Sequence, residues 1–413
     1  MENKKNPNEN EKMSNRAEAV DQILNRGVIV NILPDKESFR QRLLSLEPMK
    51  IYIGVDPTST TLHLSHAKNY MLLEEFRKLG HEVIVLFGDF TARIGDPTGK
   101  LTARKQLTRE DVMKNVQGWI KQIKPLMDFE AKDNPPKIVY NNDWLSKLTM
   151  EDVVNLASNV TVQQMIERDM FAKRLKEEQP IYLHEFMYPI MQGYDSVALG
   201  VDAELCGTDQ TFNALVGRTL LKKFKQKEKF VVAVNLMENP LTHELMSKSR
   251  GTGVFLDLDP FNMYGAIMSQ PDEMIKIFLI NNTRIPLDDV EIIIKMENLR
   301  DAKMRAAFEI TKIFHGENKA NEAQDKFIKL VQKKEPIDAI PQVKIGYQSV
   351  SLSDLLKKCM PEGTSGGEIR RLLEQNAVEI DGDMVKEAES IINIPVGGLN
   401  LKVGKKKWFK VVP

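Results

Sequence analysis

The tightest constraint on this chain is a strand, turn, helix, strand, turn succession between residues 50 and 100. Lys50-Ile51-Tyr52-Ile53-Gly54-Val55 reads as a buried strand. Asp56-Pro57-Thr58 ends it, because proline has no amide hydrogen to give to a ladder. A helix is expected from about Thr61 to Gly80, with the glycine as its stop. His81-Glu82-Val83-Ile84-Val85-Leu86-Phe87-Gly88-Asp89 forms the next strand, and Gly95-Asp96-Pro97-Thr98-Gly99-Lys100 is the turn beyond it. Strands joined through a helix run parallel, and parallel sheets carry helices on both faces. The expected fold class is therefore α/β, a Rossmann-like doubly wound parallel sheet that binds ligands at the carboxyl ends of its strands.

The rest of the chain arranges itself around that unit. At roughly 100 to 200 residues per domain, 413 residues suggest two to four domains. Residues 1–16 are mostly Asn, Lys and Glu and are expected to form a disordered tail. Residues 17–48 read as helical, with Val20, Ile23 and Leu24 on one face. The catalytic domain is expected over 17–253, interrupted by a charged helical insertion at about 101–185 that contains Trp119 and Trp144. The sheet resumes over 201–235 and closes with Phe230-Val231-Val232-Ala233-Val234. A helical domain follows over 254–335, with periodic Met274, Ile275, Ile277, Phe278, Ala306, Phe308, Ile310 and Ile313. Pro336 and Pro341 mark a linker over 336–345, and 346–413 forms a small α+β unit.

Composition removes several function classes. The 58 basic residues equal the 58 acidic ones, so any contact with nucleic acid must come from local patches. Cys206 and Cys359 stand far apart without a CxxC neighbour, which argues against a disulfide framework and structural zinc and fits a reducing cytoplasm. No apolar run approaches the roughly 20 residues of a membrane span, and the start resembles no signal peptide. A soluble, cytoplasmic protein is expected, with no membrane partner.

Three separated segments carry the chemistry. His63-Leu64-Ser65-His66 follows the first strand turn at a helix start, where backbone amides and the helix dipole favour phosphate. Alone, such a pair reads more readily as a metal pair or two packed histidines, but it directly follows a strand turn at a helix start, and no third ligand has suitable spacing for a metal. Met246-Ser247-Lys248-Ser249 leads into Arg250-Gly251-Thr252-Gly253, a flexible basic loop able to bring an ammonium to a triphosphate. Lys100 and Arg104 follow the Gly95-Asp96-Pro97 turn and can favour a departing pyrophosphate. In the third segment, Tyr188, Gln192 and Asp195 share one helix face at i, i+4 and i+7, and Gly207-Thr208-Asp209-Gln210 follows. An amphipathic helix with a polar stripe has the same spacing.

Together these segments resemble the HIGH and KMSKS signatures of class I aminoacyl-tRNA synthetases. With Tyr52 and Asp96, the third is similar to the tyrosine- and ribose-binding stretches of the bacterial tyrosyl-tRNA synthetases. The resemblance covers roughly residues 20 to 413. It implies that Asp96, Tyr188 and Gln192 bind the tyrosine ammonium, while Tyr52 and Asp195 meet the phenolic hydroxyl. Asp209 and Gln210 would hold the ribose and carboxyl side of the adenylate, and Thr58 and His63 the γ-phosphate. Gly54, Asp56, Met246, Ser247 and Ser249 complete the expected ATP site, with His66, Lys100, Arg104 and Lys248 in the catalytic set. ATP with Mg2+, L-tyrosine and tRNA(Tyr) are the implied ligands, without zinc, a protein-held metal or an organic prosthetic group. A homodimer built through the insertion and an anticodon-binding role for 254–335 are also implied.

The small unit fits an RNA partner. Ser365-Gly366-Gly367-Glu368 opens a helix bearing Arg370 and Arg371, and Asp381-Gly382 is a hairpin signal after Val378-Glu379-Ile380. This is similar to the RNA-binding module named for ribosomal protein S-four. Lys405-Lys406-Lys407-Trp408 adds a second basic site with an aromatic. The run Lys222, Lys223, Lys225, Lys227, Lys229 fits either the acceptor end of tRNA or an ordinary exposed helix. Ser65 and Leu245 stand where the signatures have glycine and lysine. Two rivals follow: a non-catalytic RNA-binding paralogue and an HxGH nucleotidyltransferase acting on a small metabolite.

Overall fold

A computed structural model describes residues 7–96, 107–246, 253–332, 342–346, 348–360, 364–395, 397–404 and 407–413. Lys100, Arg104, Ser247, Lys248 and Ser249 lie outside them. The first compact unit comprises residues 1–257 and 271–302. It opens with α1 (Pro7–Asn25), β1 (Ile29–Leu33), α2 (Lys36–Leu44), β2 (Lys50–Val55), α3 (Leu64–Lys78) and β3 (Glu82–Phe87). Then come α4 (Arg109–Ile123), β4 (Lys137–Tyr140) and four short helices, α5 (Asn142–Leu145), α6 (Met150–Ala157), α7 (Val162–Ile166) and α8 (Asp169–Lys176). The series ends with α9 (Leu183–Leu199), β5 (Ala203–Gly207), α10 (Thr211–Lys225), β6 (Phe230–Val234), α12 (Met274–Asn282) and α13 (Leu287–Ile293). The helix between β6 and α12, α11 (Pro260–Met268), belongs to the other unit.

The six strands lie in the order β1-β6-β5-β2-β3-β4. All neighbours are parallel except β1 and β6. From β2 the chain winds outward through β3 to β4, then returns through β5 and β6 on the other side. The direction of winding therefore reverses between β2 and β5, which opens a crevice outside their carboxyl ends. β3 is buried beyond its first residue and β2 through Ile51, Tyr52 and Ile53, as expected of parallel strands covered on both faces. Phe39 of α2 packs edge-on against Phe76 of α3, ring centroids 5.9 Å apart, and lies 5.1 Å from Phe230 of β6.

Several boundaries differ from the sequence expectation. The first helix begins at Pro7, so part of the expected tail is helical. Residues 17–48 are not continuously helical, because Gly27 (φ +90°) turns the chain and β1 pairs with β6. The insertion is not purely helical either: β4 lies inside it and extends the sheet beside β3. Gly80 does end α3, at φ +92°, donating its amide to the Arg77 carbonyl at 2.8 Å.

The second compact unit comprises residues 258–270 and 303–413. It holds α11, most of α14 (Leu299–His315), α15 (Glu317–Phe327), β7 (Gln342–Lys344), β8 (Ser349–Ser351), α16 (Leu352–Cys359) and α17 (Gly366–Glu374). The strands β9 (Val378–Ile380), β10 (Asp383–Met384), β11 (Ile391–Asn393), β12 (Leu399–Val403) and β13 (Lys407–Val412) follow. The helical stretch expected as one domain over 254–335 is thus shared, α12 and α13 going with the sheet. β7 pairs in parallel with β13, so the small unit reaches back into the expected linker. Asp381 and Gly382 both have positive φ, +50° and +96°, as a type I′ hairpin between β9 and β10 requires.

His81 pins the amino ends of two strands. Its Nδ1 accepts the Met49 amide at 3.1 Å, so a proton there would oppose that N–H. Burial first, then Arg16 and Arg42, push its pKa from 6.5 down to about 4. The unfolded chain binds the proton below about pH 6.5 while the fold refuses it until about pH 4, so this contribution to stability is complete above that window and lost as pH falls through it. We predict that urea-unfolding free energies show an acid-dependent loss between these values, up to roughly 1.4 kcal/mol per pH unit for one such group. The slope should be shallower in His81→Asn; equal slopes would clear His81 of the effect.

Candidate active site at the carboxyl ends of the sheet

The turn after β2 is braced from the insertion. Asn115 of α4 donates to the Pro57 carbonyl at 2.9 Å, Trp119 to the Ser59 carbonyl at 2.7 Å, and Gln122 to the Thr60 carbonyl at 3.1 Å. Three side chains one helical turn apart thereby hold the loop carrying Thr58, whose own amide donates to the Asp56 carbonyl at 2.8 Å.

α3 starts at its cap, His63. The His63 amide donates to His66 Nδ1 at 3.3 Å, and the two rings lie 4.0 Å apart. Burial and the nearby Lys68 ammonium push the His63 pKa down to about 4, and burial, then His63 and Lys68, hold His66 well below its usual range. Both imidazoles are therefore neutral near pH 7. Burial lowers the Lys68 pKa to about 7, against the opposing pull of Asp209, and its Nζ donates to Asn69 at 2.8 Å. Lys68 carries no local signal beyond a charge on an otherwise apolar helix face.

The loop that contains Lys248 leaves from Met246, whose amide donates to the Met237 carbonyl at 3.1 Å. The chain beyond it runs alongside the histidine segment. Leu64 donates to Val254 at 3.0 Å, Leu256 donates to Leu62 at 3.0 Å, and His63 bridges to Phe255. Residues far apart in sequence thus meet at the start of α3.

Two polar chains line the crevice. In the first, the Asp56 carboxylate accepts from Tyr188 at 2.8 Å and Thr91 at 2.6 Å. Asn141 donates to Thr91 at 3.0 Å and to Asp195 at 3.3 Å, and Trp144 donates to Asp195 at 2.7 Å. In the second, Gln210 donates to Asp96 at 2.7 Å, Asn213 donates to Gln210 at 2.8 Å and Gln192 at 2.9 Å, and Gln192 donates to Glu204 at 3.0 Å. Asp209 is exposed beside them, and Gly54 is exposed at the end of β2.

These contacts give the expected site residues protein partners of their own. Asp56, expected with ATP, shares its carboxylate with Tyr188 and Thr91. Tyr52, expected with Asp195 at the phenolic hydroxyl of tyrosine, has its own hydroxyl 2.9 Å from Ser196 Oγ, and the residue is 0% exposed. Asp195 accepts from Asn141 and Trp144, and burial keeps its carboxyl well above the usual range despite those two bonds. Thr91, Asn141, Ser196, Asn213 and Glu204 carry no mark in their local spacing, and Trp144 stands out only as a tryptophan of the insertion; the tertiary fold alone brings them to these polar chains. In the second unit Arg370 and Arg371 are exposed on α17, whose first turn is capped by Ser365 at 3.2 Å from the Glu368 amide. Lys402 lies 5.3 Å from the Trp408 ring, and Lys405 and Lys406 are outside the described residues.

Comparison with known proteins supplies the assignment. The profile described as tRNA synthetases class I (W and Y) matches residues 44–332. The chain belongs to this class I tRNA synthetase family. It is 41% identical to the tyrosine-tRNA ligase of Carboxydothermus hydrogenoformans over 95% of this chain and 97% of that one. It is 40% identical to the tyrosine-tRNA ligase of Thermotoga maritima over 94% and 96%. The fold matches a C-terminally truncated Aspergillus nidulans mitochondrial tyrosyl-tRNA synthetase at TM-score 0.65 and 21% identity, covering 78% of this chain and 99% of that one. Within this class I fold the two polar chains occupy the switch-point crevice.

Asn141 is the joint of the first chain, and its Oδ1 also accepts the Phe90 amide at 3.0 Å. We predict that Asn141→Ala destabilises the protein by about 1–3 kcal/mol, as expected when buried partners are left unpaired. Weaker tyrosine binding should accompany the loss. Urea unfolding and a tyrosine titration check both, and wild-type values in each would refute the bracing role.

Proposed function

We infer that this chain is a tyrosine-tRNA ligase that activates L-tyrosine with ATP and transfers it to the 3′ end of tRNA(Tyr). The observation that carries this is the joining of Tyr188, Asp195, Gln192, Asp96 and Gln210 into polar chains beside the capped histidine helix. The tyrosine carboxylate attacks the α-phosphorus of ATP, the bond to the bridging oxygen breaks, and pyrophosphate leaves. A ribose hydroxyl of the terminal nucleotide then displaces AMP from the adenylate. Positioning and charge do the work, without a covalent enzyme intermediate.

Asp96, Tyr188 and Gln192 are assigned to the ammonium group. Tyr52 and Asp195 are assigned to the phenolic end, with the Tyr52 hydroxyl held by Ser196. Thr58, His63 and His66 are assigned to the triphosphate, with Gly54, Met246, Ser247 and Ser249 around the nucleotide and Asp209 with Gln210 at the ribose. Lys248, Lys100 and Arg104 would stabilise the leaving pyrophosphate. Magnesium is proposed to arrive on the phosphates of ATP, held by phosphate oxygens and water. Among the described residues no cluster of three or more His, Cys, Asp or Glu side chains could hold a metal. No helix among them is long and apolar enough to cross a membrane, and a cytoplasmic place suits the reaction.

The homodimer has support from the insertion and its flank, where Met150 (78% exposed), Val154 (62%) and Leu183 (76%) present apolar surface. A sedimentation mass of one chain would remove it. The lysine run that begins in the last turn of α10 divides: Lys222 pairs with Glu228 and Lys227 with Asp202, Lys229 is buried, and Lys223 and Lys225 remain as candidate tRNA contacts. The two rivals lose ground because neither requires the complete tyrosine constellation.

Tyrosine-dependent exchange of labelled pyrophosphate into ATP tests the assignment. The intact protein should exchange with tyrosine and not with phenylalanine; no exchange would refute it. Lys248→Ala should slow adenylate formation about 100-fold, the scale of one lost transition-state donor, with tyrosine binding little changed. Removal of 342–413, cut before β7 because that strand belongs to the small unit, should spare exchange and sharply reduce aminoacylation. Equal loss of both would refute the RNA-binding role of Arg370, Arg371 and their neighbours.

A further inference from the structure

Behind the crevice lies a buried ion pair to which no role has been given. Lys229, just before β6, and Glu204, in β5, have side chains 0% and 2% exposed and in direct contact through Nζ and Oε2. Glu204 is the register partner of Tyr52 across the parallel pairing of β2 with β5. Adjacent strands therefore present both side chains on one face of the sheet.

The hydrogen bonds run outward from this pair to the proposed tyrosine-binding side chains. Lys229 Nζ donates to Ser196 Oγ at 2.8 Å, and Ser196 Oγ donates to Glu204 Oε2 at 3.3 Å. The serine's one proton is thereby used, so the Tyr52 hydroxyl, 2.9 Å away, is the donor in its contact with Ser196. The other carboxylate oxygen, Oε1, accepts from Gln192 Nε2 at 3.0 Å. One carboxylate thus fixes Tyr52 through Ser196 and fixes Gln192 directly.

Space for the arrangement comes from α10. A Cβ on Gly217 would stand 2.7 Å from Lys229 Nζ and 2.8 Å from Ser196 Oγ, closer than packed atoms allow. The glycine leaves the volume in which ammonium and hydroxyl meet. A buried pair of this kind is poor evidence for stability, since desolvation offsets the attraction, but it can select one arrangement of the groups around it.

We propose that Lys229 and Glu204 are positioning residues for amino-acid recognition, holding Tyr52 and Gln192 in the register that accepts tyrosine. This rests on the assignment of tyrosine as substrate. Neither residue touches substrate; they act through the side chains they hold.

The test is steady-state pyrophosphate exchange with the full chain carrying Ser196→Ala, Lys229→Met, or Lys229→Met with Glu204→Gln. The double variant is charge-balanced, and Ser196→Ala removes one oxygen, so both guard against simple misfolding. The expected result for soluble variants with wild-type circular dichroism is a rise of roughly tenfold or more in KM for tyrosine, the scale of one lost hydrogen bond network link. KM for ATP should stay within about twofold, and the preference for tyrosine over phenylalanine should fall. Wild-type KM for tyrosine and undiminished selectivity in Ser196→Ala and the double variant would overturn the proposal, leaving the pair a packing feature. Equal losses in tyrosine and ATP kinetics would overturn it too. Absence of tyrosine-dependent exchange in the unsubstituted protein would instead refute the substrate assignment beneath it.

Discussion

A carboxylate taken out of water must find donors, and the crevice of this protein is organised by that requirement. Asp195 and Glu204 are buried, and Asp56 is partly so. Each is answered by side chains from several elements: Tyr188 and Thr91 for Asp56, Asn141 and Trp144 for Asp195, Gln192, Ser196 and Lys229 for Glu204. Because the donors come from β4's end, α5, α9 and β6's approach, satisfying the acids also ties the sheet to the helices over it. The polar wall and the fold are one construction.

That wall lies where it does because the winding reverses. Strands β2 and β5 are neighbours in space but distant in sequence, and their outgoing loops diverge. One loop leads to Thr58 and the histidine cap of α3, the other to Asp209 and Gln210. Between them the crevice is polar on the side of α9 and open on the side of the exposed Gly54, a division that suits a substrate with a buried specific end and a larger charged end nearer solvent.

Much of this was legible from the chain, for identifiable reasons. β2, α3 and β3 were readable because their boundaries are punctuated by Pro57 and Gly80 and their apolar runs are long. β1 and β4 escaped because each is short and lies at a sheet edge, where one-sided burial leaves little pattern; Val30 is 52% exposed. The histidine and tyrosine motifs were found through their resemblance to the family's signatures, since their spacing alone also fits packed histidines and an amphipathic helix. Thr91, Asn141 and Ser196 were not, since a single polar residue gains its role only when tertiary contacts supply its partners. The Lys229 ammonium was the plainest misdirection: within a lysine run it looks solvated, and only the tertiary fold turns it inward onto the Glu204 carboxylate.

The antiparallel pairing of β1 with β6 has a consequence for synthesis. Ile29 lies opposite Val234 and Leu33 opposite Val231, so the earliest strand made is matched by the last one of the sheet. At roughly 5 to 20 residues per second, a ribosome needs on the order of 10 to 40 s to travel between them. Through that interval Ile29–Leu33 has emerged without its partner, and the nascent chain carries an open strand edge that a chaperone or another polysome-bound copy can reach first.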